Sequence, residues 1–151
     1  PPAARSPQPA SDPTPSSGHQ HSPETGPSSR NPRYVFADLI GDEERTALLL
    51  DAQGLVLAGA YVSHEGRDVA QEVGAELSGV SEEARRAMRH LGLGDWTSIV
   101  FETEVATVAM SPAPDEGLLL IAAAKTTPLG LVTRFLHQAS GRARTWMDGL
   151  R

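Results

Sequence analysis

The chain has 151 residues, a formal net charge of −6, a pI near 5.3, no cysteine and 39% apolar residues. Without cysteine it has no disulfide, thiol nucleophile or cysteine-held zinc, and no apolar run nears the roughly 20 residues that span a bilayer. The length suggests one folded domain.

From Pro1 to Arg33, "PPAARSPQPASDPTPSSGHQHSPETGPSSRNPR" holds nine of the twelve prolines and no apolar side chain larger than Ala or Pro. Such a segment cannot bury enough apolar surface to offset the entropy of ordering, so residues 1–33 are expected to be a disordered tail, plainly read as a flexible tether. Residues 34–151 are long enough for a domain with its own core. The tail carries a net charge of +1 and the remainder −7, ten basic against seventeen acidic residues. An acidic domain without a basic stripe is a poor binder of nucleic acid or of anionic membrane. The chain starts at Pro1 rather than Met, and its tail lacks the charged start and apolar middle of a signal peptide. A cytoplasmic chain, processed or part of something longer, is the expectation.

After the tail, "YVFADLIGDEER" fits either a short helix or an extended lead-in, and Gly41 limits both. Leu48–Leu50 and Leu55–Ala60 read as strands joined by Asp51-Ala52-Gln53-Gly54, with Asp first and Gly last in a tight turn. From about Arg67 to Leu91 the period changes. Val69, Val73, Leu77, Val80, Ala84, Met88 and Leu91 fall at spacings of three and four, the stripe of an amphipathic helix. Gly92 and Gly94 end it. "WTSIVFETEVATVAM" then reads as two strands meeting near Glu104, "SPAPDEG" as a turn or loop, and "LLLIAAAKT" as a strand covered on both faces. Thr127 as N-cap and Pro128 at the first helical position open a last amphipathic helix. The order is (α)ββαβββα, an α+β sandwich around one antiparallel sheet.

Asp51-x-x-Gly54 has the form of a γ-phosphate-sensing loop, but it needs a phosphate cradle. The only lysine is Lys125, and the glycines a P-loop requires before it are Leu119 and Ala124. The motif therefore reads as a turn. The five histidines have no ligand spacing, "GHQH" in the tail included, and no metal or other cofactor is expected. The carboxylate pairs Glu43/Glu44, Glu82/Glu83, Glu102/Glu104 and Asp115/Glu116 read as solvated surface, and no enzyme is inferred.

Two features ask for a partner. The strand from Trp96 to Glu104 starts a new hairpin and is a candidate sheet edge, a hazard unless covered or paired. The stripe from Val69 to Leu91 is long for a helix covering one side of a small sheet. Together they point to a homodimer with paired edge strands and packed helices, with Val69, Val73, Leu77, Val80 and Ala84 on the helix and Thr97, Ile99 and Phe101 on the strand.

In this order and spacing, "LLLDAQGLVLA" (Leu48 to Ala58), "LLLIAAA" (Leu118 to Ala124) and "TPLGLVTRFL" (Thr127 to Leu136) resemble the roadblock family, named after the dynein light chain, and its bacterial members above all. The resemblance spans roughly Ala47 to Leu150. It implies a roadblock/longin-like, profilin-like sandwich: a five-stranded antiparallel sheet with the central helix on one face and the first and last on the other. It also implies dimers, with itself or a paralogue, through the central helix and third strand. The role implied is a non-enzymatic regulator or scaffold of a small Ras-like GTPase. Some bacterial members stimulate GTP hydrolysis by reorganising their GTPase without donating an arginine, so no catalytic arginine is assigned. One departure is the first helix, which in the family is a clear amphipathic segment and here is short. A small-molecule-sensing module of profilin or PAS type is the alternative. It would need a cavity between sheet and helix, for which the small side chains of Ala122–Ala124 could leave room, although close helix packing explains them as well.

Overall fold

A computed structural model describes residues 31–40, 45–63 and 65–150. The tail assigned to Pro1–Arg33 lies outside these residues up to Arg30, as do Gly41–Glu44 and His64. The elements are α1 (Ala37–Ile40), β1 (Arg45–Leu50), β2 (Val56–Ala60), α2 (Ala70–Leu91), β3 (Ile99–Glu102), β4 (Ala106–Ala113), β5 (Gly117–Ala124) and α3 (Leu129–Asp148), and a 3-10 turn at Pro32–Tyr34 precedes them.

The strands form one antiparallel sheet in the order β2-β1-β5-β4-β3. Alternation along the inner strands builds two cores. Leu48, Leu50, Met110, Leu118 and Leu120 point to the α2 face, whereas Ala47, Leu49, Ala109, Leu119, Ile121 and Ala123 point to the face covered by α3. β5 sits between β1 and β4 with all but its last residue buried, which is why its sequence is apolar without alternation. α3 meets the sheet with Val132, Phe135, Leu136, Ala139 and Ala143, a stripe whose small members let the helix sit close.

The β1–β2 connection is the turn the sequence suggested. Asp51 Oδ1 accepts from the amides of Gln53 and Leu55, both at 2.9 Å, and Gly54 N–H donates to Asp51 O. The D-x-x-G carboxylate is thus engaged by its own loop. Lys125, with its Nζ 2.8 Å from Thr103 O, ties down the β3–β4 turn.

Several boundaries differ from the sequence expectations, and β1 begins at Arg45 rather than Leu48. β3 begins at Ile99, so Trp96–Ser98 precede the strand, and β4 continues to Ala113. Pro112 has no N–H to offer a neighbour, and β3 pairs with β4 only as far as Met110. Pro128 occupies the N-cap position of α3 with extended dihedrals, one place earlier than expected.

Asn31–Arg33, assigned on composition to the tail, belong to the turn that lies along β2. The segment is an anchored strap. Val35 and Phe36 are buried against the α3-face core, which places α1 on the α3 side of the sheet. Arg33 Nη1 lies 2.7 Å from Asp68 Oδ2, and Arg142 holds Asp38 through both guanidinium nitrogens at 2.6 and 2.7 Å. The Arg142 bond lowers the Asp38 pKa, while the Ala70 amide and then Arg33 lower that of Asp68.

A carboxylate with a depressed folded pKa stabilises above its unfolded value and loses that contribution as pH falls through the folded one. The strap is therefore expected to loosen below about pH 4. In NMR spectra the Val35 methyl signals should move toward random-coil positions on acidification while those of Leu120 stay. Equal movement of both would place the acid weakness elsewhere.

Candidate functional site

The 22 residues of α2 run about 33 Å, and the helix sits on the sheet mainly through its first half. Only Ala70 and Gly74 are buried, and the packing is concentrated on β1 and β2. A Cβ on Gly74 would come within 2.8 Å of Gly54 O and 2.9 Å of Leu50 Cδ2, so a glycine here allows the helix to rest on the β1–β2 turn. Gly79 has no such neighbour within 4 Å. Gly74→Ala is therefore expected to lower the denaturation midpoint, whereas Gly79→Ala should raise stability by about 0.5–1 kcal/mol. The same sign for both would show that α2 does not rest on the turn as described.

The predicted stripe is divided by this geometry. Val73 and Leu77 lean on the α2-face core and are half-buried. Together with Val69 they also line an open apolar trough of about 400 Å³ along the helix. Val80 is 37% exposed, and Ala84 is half-buried. The stripe is not used up on its own sheet.

β3 is the edge of the sheet beyond β4, so its outer row of backbone groups faces no strand among the described residues. Ile99 is half-buried on the α2 face, and Phe101 is 38% exposed. Thr97, expected on this strand, is exposed in the stretch before it. Sequence reasoning left out Leu93 and Val105, both exposed, and Val100, inside the expected Thr97–Phe101 span, is exposed as well. Leu93 lies between two glycines with no period to reveal it, and Val100 is on the opposite face of β3 from its neighbours. Exposed apolar side chains thus lie on α2, on the edge strand β3 and in the segments that flank them.

The charges of α2 are interspersed. Glu72 and Glu76 lie in its first half, and in its second half Glu82 and Glu83 pair with Arg85 and Arg86 at a spacing of three, with Arg89 and His90 in the last turn.

The features for an active site are weaker. Asp51, Glu82, Arg85 and Glu116 border a polar cleft of about 330 Å³. Asp38 and Asp68, the carboxylates with a resolved shift, are lowered rather than raised, the reverse of what a general acid needs. Among the described residues no three His, Asp or Glu side chains gather to hold a metal. Among them also, no helix is long and apolar enough to cross a membrane.

The profile of the Roadblock/LC7 domain matches residues 43–123. A comparison with curated proteins finds no match. Among solved structures, a Roadblock/LC7 domain from Streptomyces avermitilis superposes with a TM-score of 0.66 at 20% identity, covering 78% of this chain and 98% of that one. Gliding protein mglB from Thermus thermophilus gives 0.64 at 22% identity, with 76% and 87% covered. A chain described as MglB with tetrameric arrangement gives 0.65 at 19%, with 76% and 86% covered. At these identities the likeness carries the fold.

Proposed function

We propose that this chain, which belongs to the Roadblock/LC7 family, is a non-enzymatic dimeric regulator or scaffold of a small Ras-like GTPase in the cytoplasm. The observation that carries the reading is the long helix α2, part of whose apolar stripe is left open on a sheet whose edge strand β3 has no outer neighbour among the described residues. A second copy satisfies both needs at once. Two β3 edges pair antiparallel across a two-fold axis, and two α2 helices pack over the seam through Val69, Val73, Leu77, Val80 and Ala84. Thr97, Ile99 and Phe101 flank the strand side. The tetrameric arrangement described for the MglB relative supports self-association as a use of this fold.

The GTPase is the partner that family membership implies, and the acidic charge of the domain agrees with a protein partner rather than nucleic acid. The test has two arms. Light scattering after size exclusion should give twice the chain mass, independent of concentration. Immobilised protein should then retain a small Ras-like GTPase from lysate of its source cells, in one nucleotide state more than the other. A chain that is monomeric at all concentrations overturns the homodimer. Retention of no GTPase with either GDP or a non-hydrolysable GTP analogue overturns the partner.

A further inference from the structure

Where β3 stops short, the far end of β4 pairs with β5 alone among the described residues, and a notch opens between its free side and α3. Ser111 and Pro112 form its floor. Trp96 and Thr97 form one wall, Thr133, His137 and Ser140 of α3 the other, and the volume is about 380 Å³. This is the kind of cavity between sheet and helix that a ligand-binding module needs, although it lies away from Ala122–Ala124. Its size is at the small end of the range for ligand sites.

Ser111 carries the argument. Its Oγ is buried and has no hydrogen-bond partner among the described residues. A buried hydroxyl left without a partner is costly, and the few that occur in folded chains need a reason. Ser111 alternates along β4 with Ala109, which packs in the α3-face core where an alanine suffices. A second alanine would fill position 111 without that cost.

The lining also sets the chemistry. It contains hydroxyl groups from Thr97, Ser111, Thr133 and Ser140, one imidazole and one indole, and no Lys, Arg, Asp or Glu. A charged ligand would find no counter-ion there. An aromatic wall with hydroxyls around it suits a flat or ring-shaped molecule that both donates and accepts hydrogen bonds.

We infer that the notch between α3 and the open end of β4 binds a small uncharged ring compound bearing hydroxyl or amide groups, of the nucleoside or monosaccharide class. Trp96 lies against its ring, and the Ser111 hydroxyl turns about χ1 from its buried position to hydrogen-bond it. The inference does not depend on the GTPase reading, since the notch is complete within one chain.

The chain has two tryptophans, so Trp146→Phe leaves Trp96 as the only indole. The full chain carrying this change is titrated with adenosine, guanosine, D-glucose and D-ribose to about 10 mM, the weak end of useful affinity. Inorganic phosphate serves as the charged probe. Trp96 emission and the thermal midpoint are read together. A saturable change in emission with a raised midpoint is expected for nucleosides or for sugars, which identifies the source, and no change is expected with phosphate. Ser111→Ala should abolish the response while leaving the ligand-free midpoint the same or a few degrees higher.

No saturable response to any of the four neutral probes overturns the proposal. So does an equal response in Ser111→Ala, an equal response to phosphate, or a lower ligand-free midpoint in Ser111→Ala, which would give the hydroxyl a structural role. Trp96 emission that changes only on dilution, and with no probe, would assign the notch to an interface between copies and overturn the ligand reading as well.

Discussion

Val73→Arg is expected to leave each domain folded and to turn the proposed dimer into a monomer. Val73 sits one turn into α2, half-buried, and lines the open trough with Val69 and Leu77. Arginine is at least as good a helix former as valine, and its stem can lie along the trough while its head reaches water. The cost to the isolated domain is the contact that Val73 makes with the Leu48 and Leu50 core, on the order of 1 kcal/mol. In the dimer the same guanidinium has to be buried without a partner, and the two-fold axis brings in a second one. Burying an unpaired charge costs several kcal/mol, and each 1.4 kcal/mol is tenfold in affinity. A loss of about 100-fold or more follows, enough to separate the chains at micromolar concentration. Light scattering should report half the parent mass while circular dichroism keeps its helical signal. A variant that stays dimeric places the interface elsewhere, and Phe101→Arg on β3 then shows whether the edge strand alone holds it.

The features of this fold that could be read in advance are those set by local repetition. Val69 to Leu91 could be read as a helix because its stripe recurs at three and four, and Gly92 closes it in the left-handed region at φ 69°. "LLLIAAA" could be read as an inner strand because both of its faces are covered. Asp51 and Gly54 could be read as a turn because an Asp side chain satisfies nearby amides wherever it sits. What was hidden depends on contacts distant in sequence. Nothing local marks Ile99 rather than Trp96 as the first residue of β3; Trp96 precedes the strand, touching the α2-face core and also lining the notch beside α3. Arg33 looks like tail by composition and is ordered by Asp68, 35 residues away. The helix half of the candidate surface was visible as excess stripe. The notch at Ser111 was not, because it arises from a mismatch between the lengths of β3 and β4, and its serine lies in a stretch read as a loop.

The second large effect is expected from Gly59→Ala, a change of one methyl group in an edge strand. Gly59 has φ +92°, and a Cβ there would sit 2.1 Å from Ala47 O and 3.2 Å from Leu48 Cα. The obstacle is backbone, so no side chain can swing away to relieve it. β1 cannot retreat either, because its other side is paired with β5 from Arg45 to Leu50. The strand must therefore break its ladder around Leu48↔Gly59 or the glycine must change its dihedrals. Gly66 provides the control. It has φ +81° and nothing within 4 Å of a Cβ, so Gly66→Ala carries the conformational term alone, about 1–2 kcal/mol. Gly59→Ala should cost at least about 3 kcal/mol, which lowers Tm by roughly 10 °C in a domain of this size. The damage should also reach the candidate surface. β2 ends the turn on which α2 rests through Gly54 and Gly74, so a loosened β2 releases the first half of the helix that carries Val73. Above its own Tm shift, Gly59→Ala is thus expected to weaken dimerisation, while Gly66→Ala leaves the dimer intact. If the two variants melt together, the β1–β2 ladder yields more readily than its register suggests, and the position of α2 must be fixed by the inner strands instead.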